Sequence, residues 1–152
     1  MALQIWLPLN GKLNNQGLAD ITATNNGATI DNNGKIGKCY SFDGSDDYMN
    51  LGSIGKFFDG SEFSICFWIK SLEDKTRGVV FSSYGLSSTS DFFGLEINSS
   101  NSNYCNNNLR FDWKGGDTYS PNDFVTYNEW THICVTYDGV NKINMYKNGE
   151  LV

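Results

Sequence analysis

Trp130-Thr-His-Ile-Cys-Val-Thr-Tyr-Asp-Gly139, followed by Ile143-Asn-Met-Tyr-Lys-Asn-Gly149, is the stretch that decides the fold. Every second residue from Ile133 to Tyr137 is apolar or aromatic, which is the pattern of a β-strand with one apolar face. Asn148-Gly149 is the dipeptide that best tolerates the positive φ values of a two-residue hairpin turn. The stretch therefore predicts two antiparallel strands, the second from Ile143 to about Lys147, and the opening of a third.

The third strand of this hairpin is short in the sequence. Only Glu150, Leu151 and Val152 follow the turn, whereas a typical strand has about 5–6 residues. We therefore expect a sheet that lacks its usual last strand, and a domain that is incomplete at its carboxyl end.

Composition limits both the fold and the class of partner. A chain of 152 residues fits one domain over residues 1–152 with a real core. The net charge of −6 argues against a nucleic-acid binder, which usually carries a basic face. The first nine residues have no basic lead and are interrupted by Gln4 and Pro8, so they predict a first strand over 3–9 rather than a signal peptide or a membrane-inserted segment.

Short alternating segments separated by turn residues continue along the whole chain. The apolar run Phe63–Ile69 predicts a central strand that is covered on both faces. The Asn/Ser-rich segment 98–108, around Tyr104, predicts an exposed hairpin tip, and Gly115-Gly116 predicts the start of a loop that leads to Pro121. The remaining predicted strands cover residues 28–30, 38–42, 48–51, 79–84, 92–97 and 109–113. With no helical period, this pattern predicts an all-β sandwich or jelly roll.

Five motifs in a fixed order resemble one known family. They are 5–11 (Ile-Trp-Leu-Pro-Leu-Asn-Gly), 37–48, 63–70, 130–139 and 145–149. Together they look like the laminin-G-like, concanavalin A-like lectin/glucanase superfamily. The resemblance implies a jelly-roll β-sandwich of two antiparallel sheets, formed by a single laminin-G-like domain.

The opening of the chain, Met1 to Gly11, is similar to that of structural proteins of bacteriophages. This resemblance implies a virion or extracellular location and a non-catalytic, lectin-like module that binds carbohydrate or a host cell surface. The alternative is a structural assembly or decoration module. In that case the edge strand Ile5–Leu9, left unpaired by the missing last strand, would bind a protein partner or a second copy.

The third functional hypothesis, which the sequence favours least, is a glycoside hydrolase. Such enzymes need two carboxylates facing each other across a sugar, and the sequence has no Glu-x-Asp-x-Glu run. Glu96 stands at a strand position that resembles a catalytic one, but we interpret it as a solvated strand carboxylate. His132 lies at a position typical of a structural strand residue in this family, so we expect no enzyme activity.

The candidate carbohydrate site surrounds the Gly115-Gly116 loop, because sugar binding combines an aromatic face with groups that hydrogen-bond hydroxyls. Its predicted members are Trp113, Tyr119, Arg110, Asp112 and Asn122. Arg110 and Asp112 belong to the opposite face of the strand from Trp113. The alternative for Trp113 is a core position, because it shares the face of Leu109 and Phe111.

A second candidate site is a cation site in the turn Asp43-Gly-Ser-Asp-Asp47. Asp43, Asp46 and Asp47 could supply oxygens to calcium, although a complete site takes about six to eight of them. The alternative is a turn capped by its own side chains.

The four cysteines show no Cys-x-x-Cys spacing, and the chain has one histidine that could join them as a metal ligand. Both observations argue against a structural zinc site. Cys66 and Cys134 lie in predicted strands, where we expect each thiol to serve as a small buried hydrophobe. A disulfide between them requires that the two strands be neighbours, and we expect both thiols to be reduced.

Overall fold

The structure, a computed structural model, describes residues 2–72, 78–82, 93–97, 107–113 and 116–152. Its described secondary structure is twelve β-strands and one 3₁₀ turn at Gly55–Phe57. Residues 1–54 and 55–152 form two compact units. Within the described part, no helix has the length and hydropathy of a membrane-spanning segment.

The first unit is built from two small antiparallel pairs. Strand β1 (Thr24–Asn26) pairs with β4 (Tyr48–Asn50), and β2 (Thr29–Asp31) pairs with β3 (Cys39–Ser41). Gly27, in the turn between β1 and β2, has a φ of 91°. The side chain of Asp47 occupies the space that a Cβ at this glycine would need.

The predicted first strand over residues 3–9 does not form. The backbone instead makes scattered bonds, from the N–H of Gln16 to Trp6 O and from the N–H of Ala19 to Gln4 O, and the Asn15 side chain accepts from the N–H of Trp6 at 2.7 Å. Pro8 has no N–H to contribute to a ladder. The prediction of an edge strand at Ile5–Leu9 is therefore wrong for this structure.

The second unit contains two four-stranded antiparallel sheets. The first sheet consists of β5 (Phe63–Ile69), β10 (Thr131–Tyr137), β11 (Ile143–Lys147) and β12 (Glu150–Leu151); the second consists of β6 (Gly78–Ser82), β7 (Phe93–Ile97), β8 (Leu109–Trp113) and β9 (Gly116–Tyr119). The first sheet has the strand order β12-β11-β10-β5, and the second has the order β6-β7-β8-β9.

Aromatic rings join the two sheets. The ring of Phe63, on β5, lies 5.9 Å from Phe93 and 6.2 Å from Phe111, which belong to the other sheet. Trp113 lies 5.6 Å from Tyr137 across the same interface. Because these contacts run between facing sheets, the predicted all-β sandwich is confirmed.

The observed strand ends agree with the predicted ones for three strands of this unit. β5, β8 and β11 begin and end as predicted. The Asn148-Gly149 hairpin is confirmed, with φ values of 53° and 92°. The side chain of Asp138 holds the preceding turn, because its Oδ1 accepts from the N–H groups of Val140, Asn141 and Lys142 at 2.8–3.0 Å.

Two predictions about this unit are wrong. Residues 116–119 form β9 rather than a loop. β5 is terminal in its described sheet, and the side chains of Ser64, Cys66 and Trp68 on one of its faces are exposed. An apolar run alone cannot distinguish burial of one face from burial of both.

The predicted hairpin tip at 98–108, including Tyr104, lies mostly outside the described residues.

Candidate functional site

Strand β8 divides the predicted carbohydrate site between its two faces. Trp113 lies on the face that packs into the sandwich, with its ring 5.6 Å from Phe63. Arg110 and Asp112 lie on the other face, because side chains alternate along a strand. The structure therefore supports the core alternative for Trp113, which lies on the face opposite Arg110 as the sequence predicts.

The opposite face of this sheet carries a compact polar cluster, which we call the Arg110 cluster. It consists of Arg110, Glu96, Asp112, Asp117 and Tyr119. The register places Arg110 of β8 directly between Glu96 of β7 and Tyr119 of β9. Asp112 is in turn opposite Asp117. Three adjacent strands therefore bring these five side chains to one face.

The guanidinium group of Arg110 holds the cluster together. Its Nη1 donates to Glu96 Oε2 at 2.9 Å, and its Nη2 donates to Asp112 Oδ2 at 3.1 Å. The same Nη2 lies 3.0 and 3.1 Å from the two oxygens of Asp117. Charge-assisted bonds of this kind are among the strong hydrogen bonds in proteins.

Burial differs sharply among the three carboxylates. The side chain of Glu96 is fully buried, whereas that of Asp117 is 34% exposed. The expectation that Glu96 is a solvated carboxylate is therefore wrong. A buried carboxylate requires a partner of opposite charge, and Arg110 supplies it.

The charges perturb one another. The pKa of Asp112 is raised, because burial desolvates its carboxylate and Asp117 repels it. Burial would lower the pKa of Arg110, but its hydrogen bonds to Asp117 and Glu96 raise it overall. The pKa of Tyr119 is raised by burial and by the hydrogen bond that its hydroxyl donates to Asp117 Oδ2 at 3.0 Å.

Sequence reasoning found part of this cluster. It predicted Arg110, Asp112 and Tyr119 as site residues, and the structure brings them together. It missed Asp117, because residues 116–119 were interpreted as a loop. A signal for this strand is present in the sequence: Asp117 and Tyr119 are two residues apart and follow a glycine pair. This is the spacing of Arg110 and Asp112 on the strand before the glycines. Asn122 lies on an exposed turn beyond β9, and no contact links it to the cluster among the residues described.

The predicted cation site lies in the first unit. One carboxylate oxygen from each of Asp43, Asp46 and Asp47 lies within 4.8 Å of the others. The carboxylates also cap their own turn: Asp43 Oδ1 accepts from the N–H of Ser45 at 2.8 Å, and Asp47 Oδ2 accepts from the N–H of Asp43 at 2.9 Å. The three side chains therefore converge as calcium ligands would, while two of their oxygens already serve the turn.

A comparison with models of protein families identifies the family of the chain. Residues 43–152, which include the complete second unit, match the model of the concanavalin A-like lectin/glucanases superfamily. The chain belongs to this superfamily. No curated protein and no solved structure matches the chain significantly. The superfamily includes sugar-binding lectins and glycan-cleaving glucanases, so membership supports a role in carbohydrate binding or a related activity.

Proposed function

We propose that the protein is a non-catalytic carbohydrate-binding module and that the Arg110 cluster is its binding surface. The observation that carries the proposal is the assembly of hydroxyl-bonding side chains on one sheet face in a member of a lectin superfamily. Carboxylates accept hydrogen bonds from sugar hydroxyls, and a guanidinium group donates hydrogen bonds to hydroxyl oxygens. Asp117, the most exposed of the three carboxylates, is the first contact for such a ligand.

The charge of the cluster indicates the class of glycan. Three carboxylates face a single guanidinium group. An anionic sugar, such as a uronic acid or a sialic acid, would meet net like charge at this surface. We therefore propose a neutral or amino-sugar glycan as the ligand.

A hydrolase is the second candidate, because Glu96, Asp112 and Asp117 are three carboxylates on one face and the pKa of Asp112 is raised. In a retaining glycosidase the two carboxylates flank the scissile bond about 5–5.5 Å apart. Here the guanidinium of Arg110 bridges Glu96 and Asp112 and fills the space between them. This bridge favours binding over cleavage, and release of reducing sugar that is lost in Glu96→Gln would reverse the preference.

A glycan array tests the binding proposal directly. We expect wild-type protein to bind neutral or amino-sugar glycans. Asp117→Asn should weaken that binding about tenfold or more, because the hydrogen bonds that sugar hydroxyls donate to this side chain lose the negative charge of their acceptor. Tyr119→Phe should weaken it less. Glu129→Gln removes an exposed carboxylate outside the cluster and should leave binding unchanged.

Two outcomes would contradict the proposal. One is selective binding of anionic glycans. The other is unchanged binding by Asp117→Asn whose circular dichroism matches that of the wild type. If folded wild-type protein binds no glycan on the array, the result would favour the alternative, an assembly or decoration module that binds a protein partner.

Placement on a virion or another extracellular surface is part of the same proposal. It is supported by the similarity of the opening residues, Met1 to Gly11, to bacteriophage structural proteins. Repetition on such a particle would raise a weak single-site affinity by multivalency. Gold labelling of phage particles with an antibody against the chain tests it, and unlabelled particles would reject it.

Calcium binding by Asp43, Asp46 and Asp47 is a further part of the proposal. The convergence of three carboxylate oxygens within 4.8 Å supports it, with the remaining ligands coming from backbone and water. Isothermal titration of chelator-treated protein with calcium should give binding heat that disappears in Asp46→Asn/Asp47→Asn. Asp20→Asn, an exposed control in the same unit, should keep that heat. Absence of heat from the wild type would leave the residues as turn caps only.

A further inference from the structure

Two cysteines on neighbouring strands of the first sheet lie directly opposite each other. Cys66 of β5 is the register partner of Cys134 of β10. Directly opposed residues of antiparallel strands have Cα atoms about 4.5–5.5 Å apart, which lies inside the range of about 4.4–6.8 Å that a disulfide needs. The two Sγ atoms are 2.7 Å apart, so the two sulfurs are in direct contact, without the bond of about 2.0 Å that a disulfide would have.

The pair is open to reagents on one side. Both thiols are free, with Cys66 exposed and Cys134 half-buried. They lie on the face of the sheet opposite Ile133 and Val135, which are fully buried. Burial and the contact with Cys66 raise the pKa of Cys134 to about 12. Exposure therefore makes Cys66 the thiol that reacts first.

We propose that Cys66 and Cys134 form a redox modification site, which closes into a cross-strand disulfide by exchange with a small disulfide such as oxidised glutathione. The Cys66 thiolate attacks one sulfur of the oxidised glutathione, which forms a mixed disulfide and releases one glutathione thiolate. The Cys134 thiolate then attacks the Cys66 sulfur and releases the second glutathione. The two cysteines lose two protons and two electrons, and the electrons reduce the glutathione disulfide.

The disulfide would have a direct effect on the domain. It would join β5 to β10 and close a loop between residues 68 positions apart. That loop includes β7, β8 and β9, the strands that carry the Arg110 cluster. Closing so long a loop restricts the unfolded chain, so oxidation should raise the melting temperature by about 5–10 °C.

The test uses the full chain with Cys39→Ser and Cys105→Ser, which retains only the proposed pair. After native incubation with oxidised glutathione, we expect the loss of both free thiols, a crosslinked peptide containing Cys66 and Cys134, and the rise in melting temperature. Dithiothreitol should reverse all three. Peptide mapping of oxidised wild-type protein gives the same readout without any substitution.

A matched variant separates the disulfide from other oxidation. Adding Cys66→Ser should prevent the crosslink and abolish the shift in melting temperature. The proposal is overturned if both thiols stay free in folded protein, if oxidation stops at a stable glutathione adduct on Cys66, or if the crosslink forms only after unfolding in urea.

Discussion

Arg110→Met should destabilise the protein by about 3–5 kcal/mol, because it removes the guanidinium that is bonded to the buried carboxylate of Glu96. The Glu96 side chain is fully buried, and Arg110 Nη1 lies 2.9 Å from its Oε2. The methionine retains much of the aliphatic volume of arginine, so the loss reports mainly on charge. Urea unfolding followed by tryptophan fluorescence measures the free energy of unfolding directly.

A second substitution identifies the cause of that loss. Glu96→Gln/Arg110→Met removes both charges, so most of the stability should return. If the double variant is as unstable as Arg110→Met, packing of the arginine stem accounts for the effect and the buried charge does not.

Asp112→Asn is the matched control on the same strand. Its carboxylate also accepts from Arg110, at 3.1 Å, but the pKa of Asp112 is raised in the folded protein. A raised pKa of an acid means that the fold disfavours its ionised form. This unfavourable contribution is fully present above the folded pKa and is lost as the pH falls below it. We therefore expect Asp112→Asn to change neutral-pH stability by less than about 1 kcal/mol.

Local pattern predicted most strands of the second unit. β5 is an apolar run, β8 shows strict alternation and β11 ends at the Asn148-Gly149 turn, so the bounds of all three follow from sequence alone. Residues 3–9 have similar composition but do not form a strand, because a ladder also requires a neighbour in register and Pro8 offers no donor. Gly116–Tyr119 formed a strand because β8 supplied that neighbour.

The composition of the Arg110 cluster also depends on neighbouring strands, which the local sequence does not identify. Alternation placed Arg110 and Asp112 on one face and Trp113 on the other, as the structure confirms. The partners of Arg110 depend on cross-strand register, which brings in Glu96 from β7 and Asp117 from β9. Neither the burial of Glu96 nor its ion pair is visible in its immediate sequence neighbours, Leu95 and Ile97.

Phe111→Ala is the second substitution with a large expected effect, a loss of about 3–5 kcal/mol of unfolding free energy. The ring of Phe111 is fully buried between the sheets, 5.2 Å from Phe93 and 6.2 Å from Phe63. Its removal leaves a cavity whose lining loses contacts on both sides of the sandwich. The midpoint of urea unfolding should fall accordingly. Leu72→Ala, at a position 58% exposed, should change stability by less than about 0.5 kcal/mol.

Phe111 also links the core to the proposed site, since it lies between Arg110 and Asp112 on β8. Phe111→Leu keeps part of the apolar volume and should lose less stability than Phe111→Ala. If Phe111→Leu remains folded and retains glycan binding while Asp117→Asn loses it, the two faces of β8 have separate roles. Equal loss of binding in both variants would instead indicate that binding depends on the integrity of the sandwich as a whole. A Phe111→Ala protein as stable as the wild type would show that this ring does not hold the two sheets together.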